Sequence, residues 1–163
     1  MLLRADNYYL KILEEEDIGP EYLSWVSDPE VNQFLEVRFE NHNINSLKSF
    51  LASFDNKSKF FFGLFDKKTD LHIGNVNVHH NISHQTVYFG YFIGNKKYWG
   101  TSAGEEVYCL VLDFAFDELG ARKVWGGAYL SNLAAIFNLQ KFGFSLEGTQ
   151  REQYMEGDEP TDG

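Results

Sequence analysis

Residues 90–124, "GYFIGNKKYWGTSAGEEVYCLVLDFAFDELGARKV", decide how this chain is read. The run that leads into them, "TVYFGYFIG" (86–94), is aromatic and β-branched and predicts a strand. From Ala103 the apolar residues Val107, Leu110, Val111 and Phe114 recur at offsets of 4, 7, 8 and 11, with Asp113 and Asp117 on a more polar side. That spacing predicts a long helix with one buried stripe, ended near Gly120 by a left-handed cap. Between strand and helix lies "YWGTSAGEEV" (98–107), polar and rich in small residues. A helix N-terminus leaves its first N–H groups unpaired and carries a partial positive charge, so such a turn can hold a phosphate by its backbone. The donors would be the amides of Thr101 to Glu105. The pattern GxxxxGK[ST] is absent, so this is no P-loop. The other reading is a plain connecting turn in which Gly100 and Gly104 serve chain reversal and close packing.

Working outward, "YYLKIL" (8–13) predicts a first strand, and the acidic "EEED" after it suits a helix start. Asp28-Pro29 opens a second short helix with Pro at a first-turn position. "NINSLKSFLASF" (43–54) places Ile44, Leu47, Phe50, Leu51 and Phe54 on one helical face. "KFFFGLFD" and "HIGNVNVHH" predict two more strands, bounded by the polar turns "DKKTD" and "NISHQ". Downstream, "KVWGGAYL" predicts a strand, "NLAAIFNLQKFG" a helix closed by Gly143, and "FSLEGTQREQYM" a last extended stretch. The order is strand, helices, three strands, helix, strand, helix, strand. Early hairpins and late strand-helix-strand units predict an α/β (α+β) fold, a mixed, mostly antiparallel sheet with helices on both faces.

The chain has 163 residues, enough for a single domain over 1–163 with a real core. Aromatic residues make up 17% and apolar residues 44%, which excludes a disordered chain. A net charge of -10 repels phosphate backbones and anionic lipid, so neither nucleic acid nor membrane is an expected partner and an amine-bearing small molecule is. One cysteine, Cys109, excludes an intrachain disulfide and a cysteine-rich zinc site; no metal is expected. Its place inside the long helix predicts a small packed residue rather than a nucleophile. The opening "MLLRADNYYLKILEEED" lacks the apolar run of a signal peptide, so the default expectation is a cytoplasmic protein.

From about residue 8 to 154 the chain resembles the GNAT N-acetyltransferase superfamily, in its branch of ribosomal-protein N-terminal acetyltransferases and amino-sugar N-acetyltransferases. The pieces that carry the resemblance are "SDPEVNQFLEVR", "HIGNVNV", the stretch quoted first, and "NLAAIFNLQKFGFSLEG". It implies a sheet splayed at the coenzyme site, with acetyl-CoA as co-substrate between the strand at 86–93, including Phe92 and Ile93, and that at 123–130. The pyrophosphate would lie on Trp99, Gly100, Thr101, Ser102, Ala103, Gly104 and Glu105. In that loop Trp99 stands for the usual Gln or Arg and Ser102 for the usual Gly. Asn132, Asn138 and Lys141 would reach the coenzyme; Asn132 also suits a helix N-cap. The resemblance favours a nucleotide-linked amino sugar or other small amine as acceptor. The alternatives are a protein N-terminal amine, or a module that binds acyl-CoA without turning it over.

Direct attack of an amine on a thioester requires deprotonation, placement and oxyanion stabilisation, and no nucleophilic Ser or Cys. Where relatives often carry a Glu base this chain has Tyr88, and where they carry a Tyr or Ser acid it has Leu139 and Ala135. Tyr88, His80 and Glu36 remain as catalytic candidates, with Glu36, Arg38 and His79 on the acceptor side. His79 and His80 adjoin on a strand and point to opposite faces, which argues against a joint metal site. The resemblance also implies one further apolar strand after the segment at 144–163. Its absence predicts a sheet one strand short, turn or irregular structure beyond about Tyr154, and an open edge that either is covered by a second copy in a homodimer or belongs to a shortened chain.

Overall fold

Six of the eight residues of Lys59–Asp66 are apolar or glycine, and the chain buries all six. The computed structural model describes all of residues 1–163 and divides into two compact units, Met1–Val124 and Trp125–Gly163. In the first unit the strands β1 (Leu2–Arg4), β2 (Tyr8–Ile12), β3 (Lys59–Asp66), β4 (His72–Asn81), β5 (Thr86–Ile93) and β6 (Lys123–Trp125) form one sheet in chain order. The pairings from β1 to β5 are antiparallel. Helices α1 (Pro20–Ser27), α2 (Pro29–Asn32) and α3 (Ile44–Leu51) lie between β2 and β3, and α4 (Ala103–Asp113) joins β5 to β6.

The sheet is covered on both faces, as the alternation predicts. On one, Phe61 and Phe65 pack with Tyr22, Trp25, Val26 and Leu47 of α1 and α3, and Phe54 stacks on Phe61 at 4.8 Å. On the other, Phe60 and Phe62 meet the edge of Phe114 at 5.1 and 5.6 Å, and Val107 and Val111 are fully buried beside them. The predicted apolar stripe of α4 is thus the element that seals this face. After Asp113 the helix continues as a π-helical turn, Phe114–Glu118, with Leu119 N donating to Phe114 O. Cys109 corrects an expectation: it is exposed on the outer side of α4, with its thiol pushed up by burial and by nearby carboxylates, so it is neither packed nor activated.

Boundaries shift for physical reasons. "EEED" forms only a 3-10 turn, Glu15–Asp17, and α1 begins at Pro20, where the imide nitrogen costs no hydrogen bond. Asp28 caps α2 by accepting from Glu30 N. The strand expected over "KVWGGAYL" stops at Trp125, where the Gly126-Gly127 pair offers no side chain to pack. β1, absent from the sequence reading, is three residues long with only Leu3 buried.

The second unit contains α5 (Leu133–Lys141), closed by Gly143 at φ +80°, and the strands β7 (Tyr154–Glu156) and β8 (Glu159–Thr161). Two expectations are corrected here. Residues 144–153 form no strand, and residues after Tyr154 are not irregular: β7 and β8 pair as an antiparallel hairpin in a sheet of their own. The turn is Gly157-Asp158, with Gly157 at φ +66°, the positive angle a two-residue hairpin loop needs. Tyr154 stacks on Tyr129 at 4.2 Å, and Gly163 and Gln150 exchange both backbone hydrogen bonds. No helix of the chain is long and apolar enough to cross a membrane.

A β-bulge between Leu64 and Phe65 brings His72 opposite Phe65. The imidazole stacks on Phe65 at 4.8 Å, and its Nε2–H donates to Asn75 Oδ1 at 2.7 Å and lies 3.0 Å from Gly74 O. A Cβ on Gly63 would approach His72 Nε2 to 3.1 Å, so the glycine makes room for the ring. Burial holds the His72 pKa below its ordinary value, although the hydrogen bonds to Asn75 and Gly74 oppose this. The unfolded chain takes up the proton near pH 6.5, so stability present above that pH is lost as pH falls toward the folded pKa. The melting temperature should fall between pH 7 and pH 5 in the wild type and fall less in His72→Gln; equal slopes by circular dichroism would contradict this.

Candidate active site

Strand β5 hands the chain to α4 through a loop held at several points. Asn95 Oδ1 accepts from Lys97 N, the Trp99 indole N–H donates to Ile93 O at 2.8 Å, and Gly100 turns the backbone at φ +73°. That angle is one an L side chain rarely adopts, and no atom lies within 4 Å of where a Cβ would be. Thr101 then works as a cross-brace. Its hydroxyl donates to Tyr98 O at 2.7 Å, accepts from Tyr8 of β2 at 3.2 Å and lies 3.3 Å from Ala103 N.

The expected donors Thr101 to Glu105 are therefore not equivalent. Thr101 N donates to Tyr98 O, and Ala103 N is taken by the Thr101 hydroxyl. The amides of Ser102 and Gly104 donate to no backbone carbonyl, and Ser102 is exposed. Those two, at the positive end of an eleven-residue helix, are the groups suited to an anionic oxygen.

Glu106, which the sequence did not single out, fixes this turn to the rest of the sheet. Its Oε2 accepts from Asn7 N at 2.8 Å and Tyr8 N at 3.0 Å, and its Oε1 from Asn7 Nδ2 at 2.8 Å and the Ser102 hydroxyl at 2.9 Å. Partial burial pushes its carboxyl up, but the hydrogen bonds from Asn7, Ser102 and Tyr8 outweigh that and hold it below the ordinary value. Asn7 lies 99 residues away, so only the general preference for acid in a first helical turn could have hinted at Glu106.

Lys96 ties the same loop to α2. Its ammonium meets Asp28 at 2.7 Å and Glu30 at 2.5 Å and lies 5.9 Å from the Trp99 ring centroid. A Cβ on Gly94 would overlap the Trp25 indole of α1, so the end of β5 and the α1–α2 junction are packed tightly.

The remaining residues fall into separate places. Tyr88, Gly90 and Phe92 share one face of β5, on which Tyr88 lies opposite His79 with ring centroids 6.2 Å apart. Burial, then the Lys59 charge, holds His79 below its ordinary pKa. His80 projects to the opposite face, where its Nε2 is buried with no hydrogen-bond partner, so the structure brings Tyr88 and His79 together and leaves His80 apart. Glu36 and Arg38 lie on a 3-10 turn, Glu36–Phe39, with the Arg38 guanidinium 4.6 Å from the Phe39 ring centroid. In the second unit Asn132 is the N-cap of α5, its Oδ1 accepting from Ala135 N at 3.1 Å; Asn138 and the exposed Lys141 follow on the same helix. No group of three or more His, Cys, Asp or Glu side chains is arranged to hold a metal ion.

A six-stranded sheet with a small-residue turn feeding α4, in this chain order, is the acetyltransferase arrangement that the sequence resemblance implies. Residues 8–145 match the acetyltransferase (GNAT) domain family, and the chain belongs to that family. It is an acetyl-CoA-dependent acetyltransferase. Among its relatives, one from Bacillus subtilis strain 168, described as probable N-acetyltransferase YjcK, is 27% identical over 162 residues, covering 93% of this chain and 87% of that protein. Among solved structures, a GNAT-family acetyltransferase from Bacillus anthracis superposes with a TM-score of 0.83 at 17% identity, over 99% of this chain and 94% of the other. Spermidine N-acetyltransferase from Vibrio cholerae, in complex with CoA and spermine, superposes with a TM-score of 0.84 at 19% identity, over 96% of this chain and 91% of the other.

Replacing Glu106 by Ala removes the acceptor of the exposed Asn7 amide and of the part-buried Tyr8 amide and should cost about 2 kcal/mol, the range for hydrogen bonds to a charged group. Urea unfolding checks it. Glu106→Gln, which keeps one of the two acceptor oxygens for the Asn7 and Tyr8 amides and loses the charge, should cost less; equal losses would mean that those two hydrogen bonds do not carry the fixation.

Proposed function

We propose that the two units act as one GNAT domain over residues 1–163 that moves the acetyl group of acetyl-CoA to the primary amine of a small acceptor, with a nucleotide-linked amino sugar as the favoured class. The observation that supports coenzyme binding is the first turn of α4. Gly100 aims the helix N-terminus, Thr101 and Glu106 immobilise it, and the Ser102 and Gly104 amides remain for the pyrophosphate. Trp99, locked to Ile93 O, borders that turn, and Asn132, Asn138 and Lys141 are proposed as further coenzyme contacts from α5.

In the reaction the acceptor nitrogen, freed of its extra proton, attacks the thioester carbonyl carbon. The N–C bond forms, the C–S bond breaks, and the departing sulfur takes a proton to leave as the free thiol. Neither proton transfer requires a Ser or Cys of the protein. Tyr88 and His79, on the same sheet face, are the proposed groups nearest to this chemistry, and burial, then the Lys59 charge, lowers the His79 pKa and so favours its neutral form.

A second reading has its own support. Residues 14–40 carry nine carboxylates and one arginine, most of the net charge of -10. Among them Asp17 pairs with Lys11, Glu15 with Lys48, and Asp28 and Glu30 with Lys96. That excess suits a polycationic amine. Thiol release from acetyl-CoA should be measured with a uridine-diphosphate-linked amino sugar, spermidine and an alanine-initiated peptide. Release with the sugar supports the first reading and release with spermidine the second. Release with the peptide alone, or coenzyme-induced thermal stabilisation with no release at all, overturns both.

A further inference from the structure

The register of β3, β4 and β5 sets their side chains in rows on the face toward α1 and α3. One row is Phe61, Asn77 and Gly90; the rows on either side are Gly63, Asn75 and Phe92, and Lys59, His79 and Tyr88. Asn75 and Asn77 are both polar intrusions on a face built largely from aromatic rings, but they are used differently. Asn75 is 1% exposed, its oxygen accepts from His72, and the rings of Phe65, Trp25 and Tyr22 close over that histidine. It belongs to the core. Asn77 is half-buried, and its Oδ1 lies 2.9 Å from the point a Cβ on Gly90 would occupy. The Tyr88 hydroxyl lies 3.8 Å from the same point.

Two oxygens thus converge over a residue with no side chain. One accepts only, and the other both accepts and donates. A half-buried carboxamide on an apolar face loses hydration, and the loss is made good only by a partner that supplies hydrogen bonds. The space over Gly90 has the chemistry for a nitrogen carrying N–H donors. Gly90 lies four residues before Gly94, about 13 Å along β5 from the loop that feeds α4, at 3.3 Å per residue. An acyl arm bound at that loop and laid along β5 would carry its reactive end to this row.

Resting on the acceptor-amine reading above, we propose that Asn77 holds the acceptor nitrogen, its Oδ1 accepting an N–H of the amine, with the Tyr88 hydroxyl as second contact and Gly90 leaving the space. The carboxamide orients the nitrogen lone pair toward the thioester and does not itself exchange a proton. Asn77→Leu keeps the branched side-chain shape and removes the acceptor. It should raise the acceptor KM at least tenfold and leave the acetyl-CoA KM within twofold. Asn77→Asp, which restores an acceptor oxygen, should recover most of the loss, and Gly90→Ala, whose Cβ would crowd Oδ1, should raise the acceptor KM alone. A leucine variant with unchanged acceptor KM, or an aspartate variant no better than leucine, overturns the proposal. A second measurement needs no turnover. The Asn77 side-chain amide resonances, assigned by their loss in Asn77→Leu, should shift when n-butylammonium is titrated into the CoA-bound protein, and no shift overturns the proposal. If the wild type releases no thiol with any of the three acceptors, the functional reading fails while this titration still decides the role of Asn77.

Discussion

One carboxylate holds the turn before α4, the proposed coenzyme site, in place. Glu106 sits in the first turn of α4 and accepts hydrogen bonds from the backbone of Asn7 and Tyr8, where the chain turns into β2. Helix dipole and hydrogen bonds act in the same direction, because the positive end of α4 favours the charge that the amides of Asn7 and Tyr8 also favour. Tyr8 adds its hydroxyl to Thr101. The turn is therefore fixed by residues at opposite ends of the first unit. A backbone site for an anion depends on such fixation, since an amide that must reorganise on binding gives back part of its interaction in entropy.

The same helix closes one face of the sheet, so placing the turn and building the core are a single event. Val107, Val111 and Phe114 are set by the register that Glu106 fixes, and they cover Phe60 and Phe62. On the other face the aromatic rings from α1, α3 and β3 shut around His72 and Asn75, and one row further the packing loosens at Asn77 and Gly90. The transition from a sealed polar pair to an open one is what distinguishes core from candidate site on a continuous strand.

Much of this was legible in the sequence because it is local. The offsets of Val107, Leu110, Val111 and Phe114 gave α4 and its buried side, Gly120 and Gly143 marked helix ends, and alternation placed Tyr88 with Gly90 and His79 opposite His80. The family motifs located the turn. What could not be read depended on partners far away or on weak local signals. Glu106 needs Asn7, the place of His72 needs a bulge in β3, and the role of Asn77 needs the register that sets it over Gly90. Cys109 fell on the exposed side because the buried stripe of α4 passes through Tyr108 and Leu110 instead. The β7–β8 hairpin was missed because its acidic, Gly- and Pro-containing composition argues against a buried strand, whereas a two-residue turn at Gly157 and ring packing at Tyr154 suffice for a short exposed one.

We propose that the first turn of α4 binds the coenzyme pyrophosphate through the Ser102 and Gly104 amides. Backbone amide spectra recorded while CoA is titrated into the protein test it most directly. Ser102 and Gly104 should show the largest shifts, and Thr101 and Ala103, whose amides already have acceptors, should move less. Saturable CoA binding that leaves the Ser102 and Gly104 amides unshifted would contradict it.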